Sequence, residues 1–112
     1  MLKTVAYIRN DTAYLQKNEI ENYCKRNSLD LEMIFEDQGA SGLNEERIEY
    51  QNLLKYVSEN KVDLIVINKA ENLNRNLNRM IELIKYFQNK DIGLVAINGA
   101  YGETYLTDRE FY

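Results

Sequence analysis

The sequence predicts an α/β domain, a three-layer sandwich with a four-stranded parallel sheet and helices on both faces. Three observations predict it. Four short apolar runs alternate with three amphipathic stretches, and the order βαβαβαβ is the connectivity of a parallel sheet with right-handed crossovers. The third and fourth runs are almost continuously hydrophobic, as strands covered on both faces are. The 112 residues contain no proline and no linker, repeat or low-complexity segment, so one small domain is expected.

The elements follow in order. Residues 4–8 form the first strand. Residues 14–26 then place Ile20, Tyr23 and Cys24 on one side of a helix. Residues 31–35 form the second strand. Residues 46–59 gather Tyr50, Leu53, Leu54 and Val57 on one helical face. Residues 62–67 form the third strand. Residues 77–89 bring Leu77, Met80, Ile81, Ile84 and Phe87 together. Spacings of three and four residues are what one helix face requires. Residues 92–97 form the fourth strand, and residues 98–112 have no clear period.

Composition narrows the chemistry. Hydrophobic residues make up 45% and charged residues 29%, which is a globular composition. There is no histidine and one cysteine. That excludes histidine-based dyads and triads, an internal disulfide framework and a zinc site of ordinary type. No metal or cofactor is expected, and a lone Cys24 on a helix face reads as core in a reducing cytoplasm. The longest apolar run, residues 64–67, cannot span a membrane, and the first residues are too weakly apolar for a signal peptide. The net charge is −4 and the isoelectric point about 4.9. A domain that grips nucleic acid unaided is usually basic, because phosphate neutralisation supplies most of the affinity. The nine tyrosines are scattered and read as core and rim, not as a base-stacking platform. In the tail, Tyr101, Tyr105, Leu106, Phe111 and Tyr112 form a loose aromatic group that reads as packing on the sheet edge.

In an open parallel sheet, ligands sit beyond the carboxyl ends of the strands. Arg9, Asn10, Asp11 and Thr12 follow strand one. Asp37, Gly39, Ser41 and Gly42 follow strand two, with Arg47 at the next helix start. Lys69, Glu71, Asn72 and Arg75 follow strand three. Arginines gathered there suit a phosphate or carboxylate, through bidentate hydrogen bonds. The alternative is that Arg9, Arg47 and Arg75 form solvated ion pairs with Asp11, Asp37 and Glu71. No glycine follows strand one, which argues against a nucleotide-cradling loop.

Three segments carry a family resemblance. Val5-Ala6-Tyr7-Ile8-Arg9-Asn10-Asp11-Thr12 resembles the opening of the serine recombinases (the resolvase/invertase family), where a tyrosine and an arginine precede Ser-Thr. Asp37-Gln38-Gly39-Ala40-Ser41-Gly42, followed by Arg47, resembles the family's Asp-x-Gly-x-Ser-Gly-x4-Arg segment. Residues 62–75, which read Val-Asp, an apolar run, then Lys69-Ala70-Glu71-Asn72-Leu73-Asn74-Arg75, resemble its strand-to-helix signature, Lys-x-Asp-Arg-Leu-x-Arg. Residues 93–98 resemble the family's fourth strand. The likeness spans residues 4–99 and implies the sheet order 2-1-3-4. It implies a site in which a serine attacks a DNA phosphodiester while arginines stabilise the developing charge. Arg9, Arg47 and Arg75 fall on three of those arginines, and Ser41 on a structural serine of the loop.

The pattern breaks at three points. Asp11 stands at the nucleophile position, where a carboxylate repels phosphate. The family's Asp-Arg pair reads Glu71-Asn72 here. The connection after Asp11 is short, with Gln16 reading as the start of the first helix. The expected function is therefore a recombinase-like domain, associated with DNA recombination, that does not cleave strands. Two alternatives remain: a strand-transfer enzyme using Thr12, or a small anion-binding module unrelated to DNA. In the family, a long dimerisation helix and a carboxyl-terminal DNA-binding domain follow the catalytic domain. Neither is read in residues 1–112, so this domain alone should hold DNA weakly and act as a homo-oligomer or beside an active recombinase.

Overall fold

The computed structural model describes residues 1–9, 13–37, 47–99 and 102–107, with backbone only for residues 13–15. Strand β1 (Lys3–Arg9) leads through residues 10–12 into helix α1 (Ala13–Arg26). Strand β2 (Asp30–Asp37), helix α2 (Ile48–Glu59) and strand β3 (Leu64–Ile67) follow. A single 3-10 turn (Ala70–Asn72) precedes helix α3 (Leu77–Asn89), and strands β4 (Gly93–Gly99) and β5 (Gly102–Tyr105) complete the order. The strands lie side by side as β2-β1-β3-β4-β5. β1 pairs in parallel with β2 and β3, and β3 with β4, while β5 runs antiparallel to β4. The expected parallel four-strand core and its 2-1-3-4 order are present, and α1 starts close to the predicted position.

The sheet separates two cores. Val5, Tyr7, Phe35, Ile65, Ile67 and Leu94 face α2 and α3, where they meet Tyr50, Leu53, Val57, Met80, Leu83 and Phe87. Ala6, Ile8, Leu64, Val66 and Val95 face α1 and meet Ile20, Tyr23 and Cys24. Alternate residues of β1 thus enter opposite layers, as strand geometry requires. Arg9, two residues beyond Tyr7, continues the α2–α3 side. β2 is an outer strand, half exposed, and its Asp30, Glu32 and Glu36 put charge along an edge that would otherwise invite pairing.

Two expectations need correction. The tail, which has no clear sequence period, adds a fifth strand to the predicted four, because residues 102–105 make β5. There Leu106 N–H donates to Leu94 O at 2.8 Å and Leu94 N–H to the Thr107 hydroxyl at 3.0 Å. The buried stripe of α3 is also rotated from the predicted one. Leu77 is 73% and Ile81 41% exposed, whereas Leu83, absent from the predicted face, is buried with Met80 and Phe87. Leu77 and Ile81 lie at the margin of the apolar arc, and the sheet selects the other margin.

Gly102 adopts φ +90°, a conformation glycine accepts at no steric cost. At Gly99 the constraint is space: a Cβ there would sit 2.7 Å from Thr104 Oγ1 and 2.9 Å from the Gly102 carbonyl oxygen. Gly99→Val is expected to destabilise the domain by about 1–3 kcal/mol, the usual cost of forcing extra atoms into packed surroundings. Urea unfolding would measure this, and a midpoint equal to that of the parent would contradict the close approach.

Candidate anion site at the carboxyl edge of the sheet

The carboxyl ends of β1, β2 and β3 are held together by side chains from each. Arg9 ends β1 opposite Asp37, the last residue of β2. Asp37 turns toward the N-terminus of α2. Its Oδ1 accepts from Glu49 N–H at 3.1 Å and its Oδ2 from Tyr50 N–H at 2.9 Å. A carboxylate at a helix N-terminus satisfies orphan donors and meets the positive end of the dipole. Asp37 Oδ2 also accepts from the Tyr7 hydroxyl at 2.8 Å.

Arg47 closes the network. Its Nη1 donates to the Tyr7 hydroxyl and to the Asn72 carbonyl, both at 2.9 Å, and its Nη2 donates to the Leu73 carbonyl. The guanidinium carbon lies 4.2 Å from the Tyr50 ring centroid and 5.4 Å from that of Tyr7, a cation–π arrangement. Asn72 joins the turn to β1: its Nδ2 donates to Arg9 O at 2.8 Å, and its Oδ1 accepts from Lys69 N–H at 2.9 Å.

Arg9 is different. It is 4% exposed, and Nε, Nη1 and Nη2 are all buried without a hydrogen-bond partner among the described residues. Burial, then the positive charge of Arg47, pushes its pKa below the ordinary arginine value, against an opposing pull from Tyr7 and Asp37 and with a smaller push from Arg75. A buried guanidinium with no partner is costly, and an anion is the group that would relieve it. Arg75, between the 3-10 turn and α3, is exposed but near enough to act on Arg9 electrostatically.

Of the predicted site residues, Arg9, Asp37, Arg47, Asn72 and Arg75 are gathered at this edge, with Lys69 and Glu71 exposed on the turn. Asp11, Thr12, Gly39, Ser41 and Gly42 lie outside the described residues. Among the described residues, no ion pair joins Arg9, Arg47 or Arg75 to Asp37 or Glu71. Asp37 reaches Arg47 only through the Tyr7 hydroxyl. Sequence reasoning gave Tyr7 and Tyr50 no part in the site. The signal was a tyrosine in an aliphatic strand, whose hydroxyl needs a partner, and another on the inner face of α2.

The sequence profile of the resolvase N-terminal domain family matches residues 4–112. The chain belongs to that family. No curated protein sequence matches it. Among solved structures, this resolvase-type domain is similar to the catalytic domain of ISC1926 TnpA, an IS607-like serine recombinase. The identity is 23% over 88% of this chain and 72% of that one, with a TM-score of 0.81. The N-terminal catalytic domain of TP901-1 integrase is also similar, at 23% identity over 86% and 77% of the two chains and a TM-score of 0.80. A resolvase family site-specific recombinase from Streptococcus pneumoniae shares 19% identity over 86% and 72%, with a TM-score of 0.74. The fold of this resolvase-type domain is thus that of serine recombinase catalytic domains, carrying one antiparallel strand beyond the predicted four. Among the described residues, no helix is long and apolar enough to cross a membrane.

The tyrosines of the domain predict its alkaline behaviour. Burial first, then hydrogen bonding to Asp37, raises the Tyr7 pKa above the ordinary value, and burial with hydrogen bonding to Glu103 does the same for Tyr23. Burial pushes the Cys24 thiol up to about 11. These groups keep their protons more tightly when folded, so the unfolded chain releases protons first. Their contribution is complete below the unfolded values and is lost as pH rises past about 9 for cysteine and 10 for tyrosine. Urea midpoints should fall between pH 9 and 11.5, and less steeply in Tyr7→Phe. A flat profile would contradict the burial of these groups.

Proposed function

We propose that this domain acts in site-specific DNA recombination as a non-cleaving member of its family, holding a phosphate-type anion at the carboxyl edge of the sheet. The observation that carries the anion reading is the buried, unpartnered guanidinium of Arg9. Family membership supports the connection to recombination. Asp11 at the nucleophile position supports the absence of cleavage, since a carboxylate there opposes the phosphate and provides no hydroxyl for a phosphoseryl link. The carboxamide at Asn72, engaged with Arg9 O and Lys69 N–H, further separates this site from one with a guanidinium at that position. In this reading the domain works by association, with copies of itself or with an active recombinase, in the cytoplasm.

The test is a denaturing gel with labelled, site-bearing supercoiled DNA. The parent chain should give no covalent adduct, and Asp11→Ser should strengthen phosphate binding slightly without producing recombination. An adduct that disappears in Thr12→Ala would overturn this reading in favour of strand transfer through the threonine. With a net charge of −4, the chain should bind DNA weakly in a mobility shift at about 150 mM salt, where exposed charges are screened beyond about 8 Å. Tight sequence-selective binding would contradict that expectation.

A further inference from the structure

The three arginines at the carboxyl edge do not have the same hydrogen-bonding freedom. A guanidinium has five N–H donors in a planar fork, and it grips a phosphate by presenting two of them along one edge. In Arg47 the edge formed by Nη1 and Nη2 faces the consecutive carbonyls of Asn72 and Leu73, and Nη1 also meets the Tyr7 hydroxyl. Its Nε is buried and has no hydrogen-bond partner among the described residues, the residue is 4% exposed, and one face of the guanidinium lies over the Tyr50 ring. The terminal edge is therefore occupied, and the one nitrogen without a partner among the described residues, Nε, is enclosed. Among the described residues, none partners any of the three Arg9 nitrogens, and none is hydrogen-bonded to the Arg75 side chain.

We propose that Arg47 is a positioning residue in this chain, and that of the three arginines Arg9 and Arg75 meet the anion while Arg47 does not. This rests on the anion reading given above. Arg47 acts through the turn. It fixes the main chain at residues 72 and 73, and the Asn72 carboxamide in turn holds the Arg9 carbonyl at 2.8 Å. Through Tyr7 it also braces Asp37, whose carboxylate seats α2. One guanidinium thereby connects β1, β2, the N-terminus of α2 and the segment after β3. Displacing it toward a phosphate would leave two inward carbonyls and the Tyr7 hydroxyl without their donor, an arrangement that low dielectric surroundings penalise.

The experiment is an NMR titration of the intact 112-residue chain with inorganic phosphate, observing arginine side-chain Nε–Hε signals. The Arg9 and Arg75 signals are expected to shift together along one binding curve, while the Arg47 signal stays in place and its Hε exchanges slowest with solvent. In Tyr7→Phe the Arg47 Hε should exchange at least tenfold faster. Arg47→Gln should lower the melting temperature and, below its transition, bind phosphate within about threefold of the parent, whereas Arg9→Gln should lose binding. An Arg47 signal that moves with that of Arg9 would overturn the proposal, as would an Arg47→Gln variant that melts like the parent yet binds no phosphate. If no arginine signal moves, the anion reading fails. The positioning role of Arg47 is then judged by its Hε exchange and the Tyr7→Phe response, and fast exchange in the parent would defeat it too.

Discussion

Replacing Arg9 by methionine is expected to stabilise the domain while removing its anion binding. Arg9 is 4% exposed, and all three guanidinium nitrogens lack partners among the described residues. Moving such a charge out of water costs several kcal/mol, and only an attractive partner returns it. Here the repulsion from Arg47 and Arg75 opposes the attraction of Tyr7 and Asp37, and burial outweighs that attraction. Methionine keeps an unbranched stem of similar length and can fill the same space. The expected gain is about 1–3 kcal/mol, within the range seen when buried ionic groups give way to apolar ones, or roughly 5–10 °C in melting temperature for a chain of this size. Binding of inorganic phosphate should fall below detection in the same variant. Stability and function would then move in opposite directions, as they do where a site is kept strained for its ligand. Calorimetric melting with and without phosphate reads both effects. A methionine variant that melts lower than the parent would mean that Arg9 is compensated in solution.

The second large effect is expected at Asp37. Asp37→Ala removes the acceptor for two backbone N–H groups of α2 and for the Tyr7 hydroxyl. Loss of a helix N-cap alone costs about 1 kcal/mol, and a buried donor left without its charged acceptor costs about 1.5–3 kcal/mol. The network is shared, so the terms do not simply add. A loss of about 3 kcal/mol is expected, a large part of the 5–15 kcal/mol typical of a whole domain. Asp37→Asn retains a carbonyl oxygen for one of the N–H groups and should fall between alanine and the parent. Urea denaturation of the three chains would order them, and an alanine variant within 1 kcal/mol of the parent would refute the bracing role.

The sequence and the structure agree most closely where periodicity and β–α alternation are strong. The nearly continuous Leu64–Ile67 and Gly93–Gly99 runs sit in the sheet interior, and their order relative to β1 follows from the crossovers and the family likeness. β5 escaped because its four residues, Gly-Glu-Thr-Tyr, are mostly polar, half exposed and on an outer edge, so they lack the apolar density that marks an inner strand. Its trace was the pair of glycines bracketing residues 100–101. Leu77 and Ile81 were misassigned because a helical period gives the width of the apolar arc, not which margin the sheet covers. Position after a strand picks out Arg9, Arg47 and Arg75 as residues of one edge. It could not tell an arginine whose fork is occupied by carbonyls from one whose fork is empty, since that depends on where the turn after β3 places its main chain.

The way Asp37 meets α2 also bears on how such a domain can vary. The carboxylate at the end of β2 accepts from Glu49 and Tyr50 N–H groups, so the two ends of segment 38–46 are fastened by atoms outside it. Closing a longer loop between fixed ends costs entropy only logarithmically, about 0.6 kcal/mol for each doubling of length. Residues inserted between Asp37 and Arg47 are therefore expected to cost little in folding as long as Asp37, Tyr7 and Arg47 remain. One carboxylate thus sets the placement of α2 against β2 without calling on the chain that joins them.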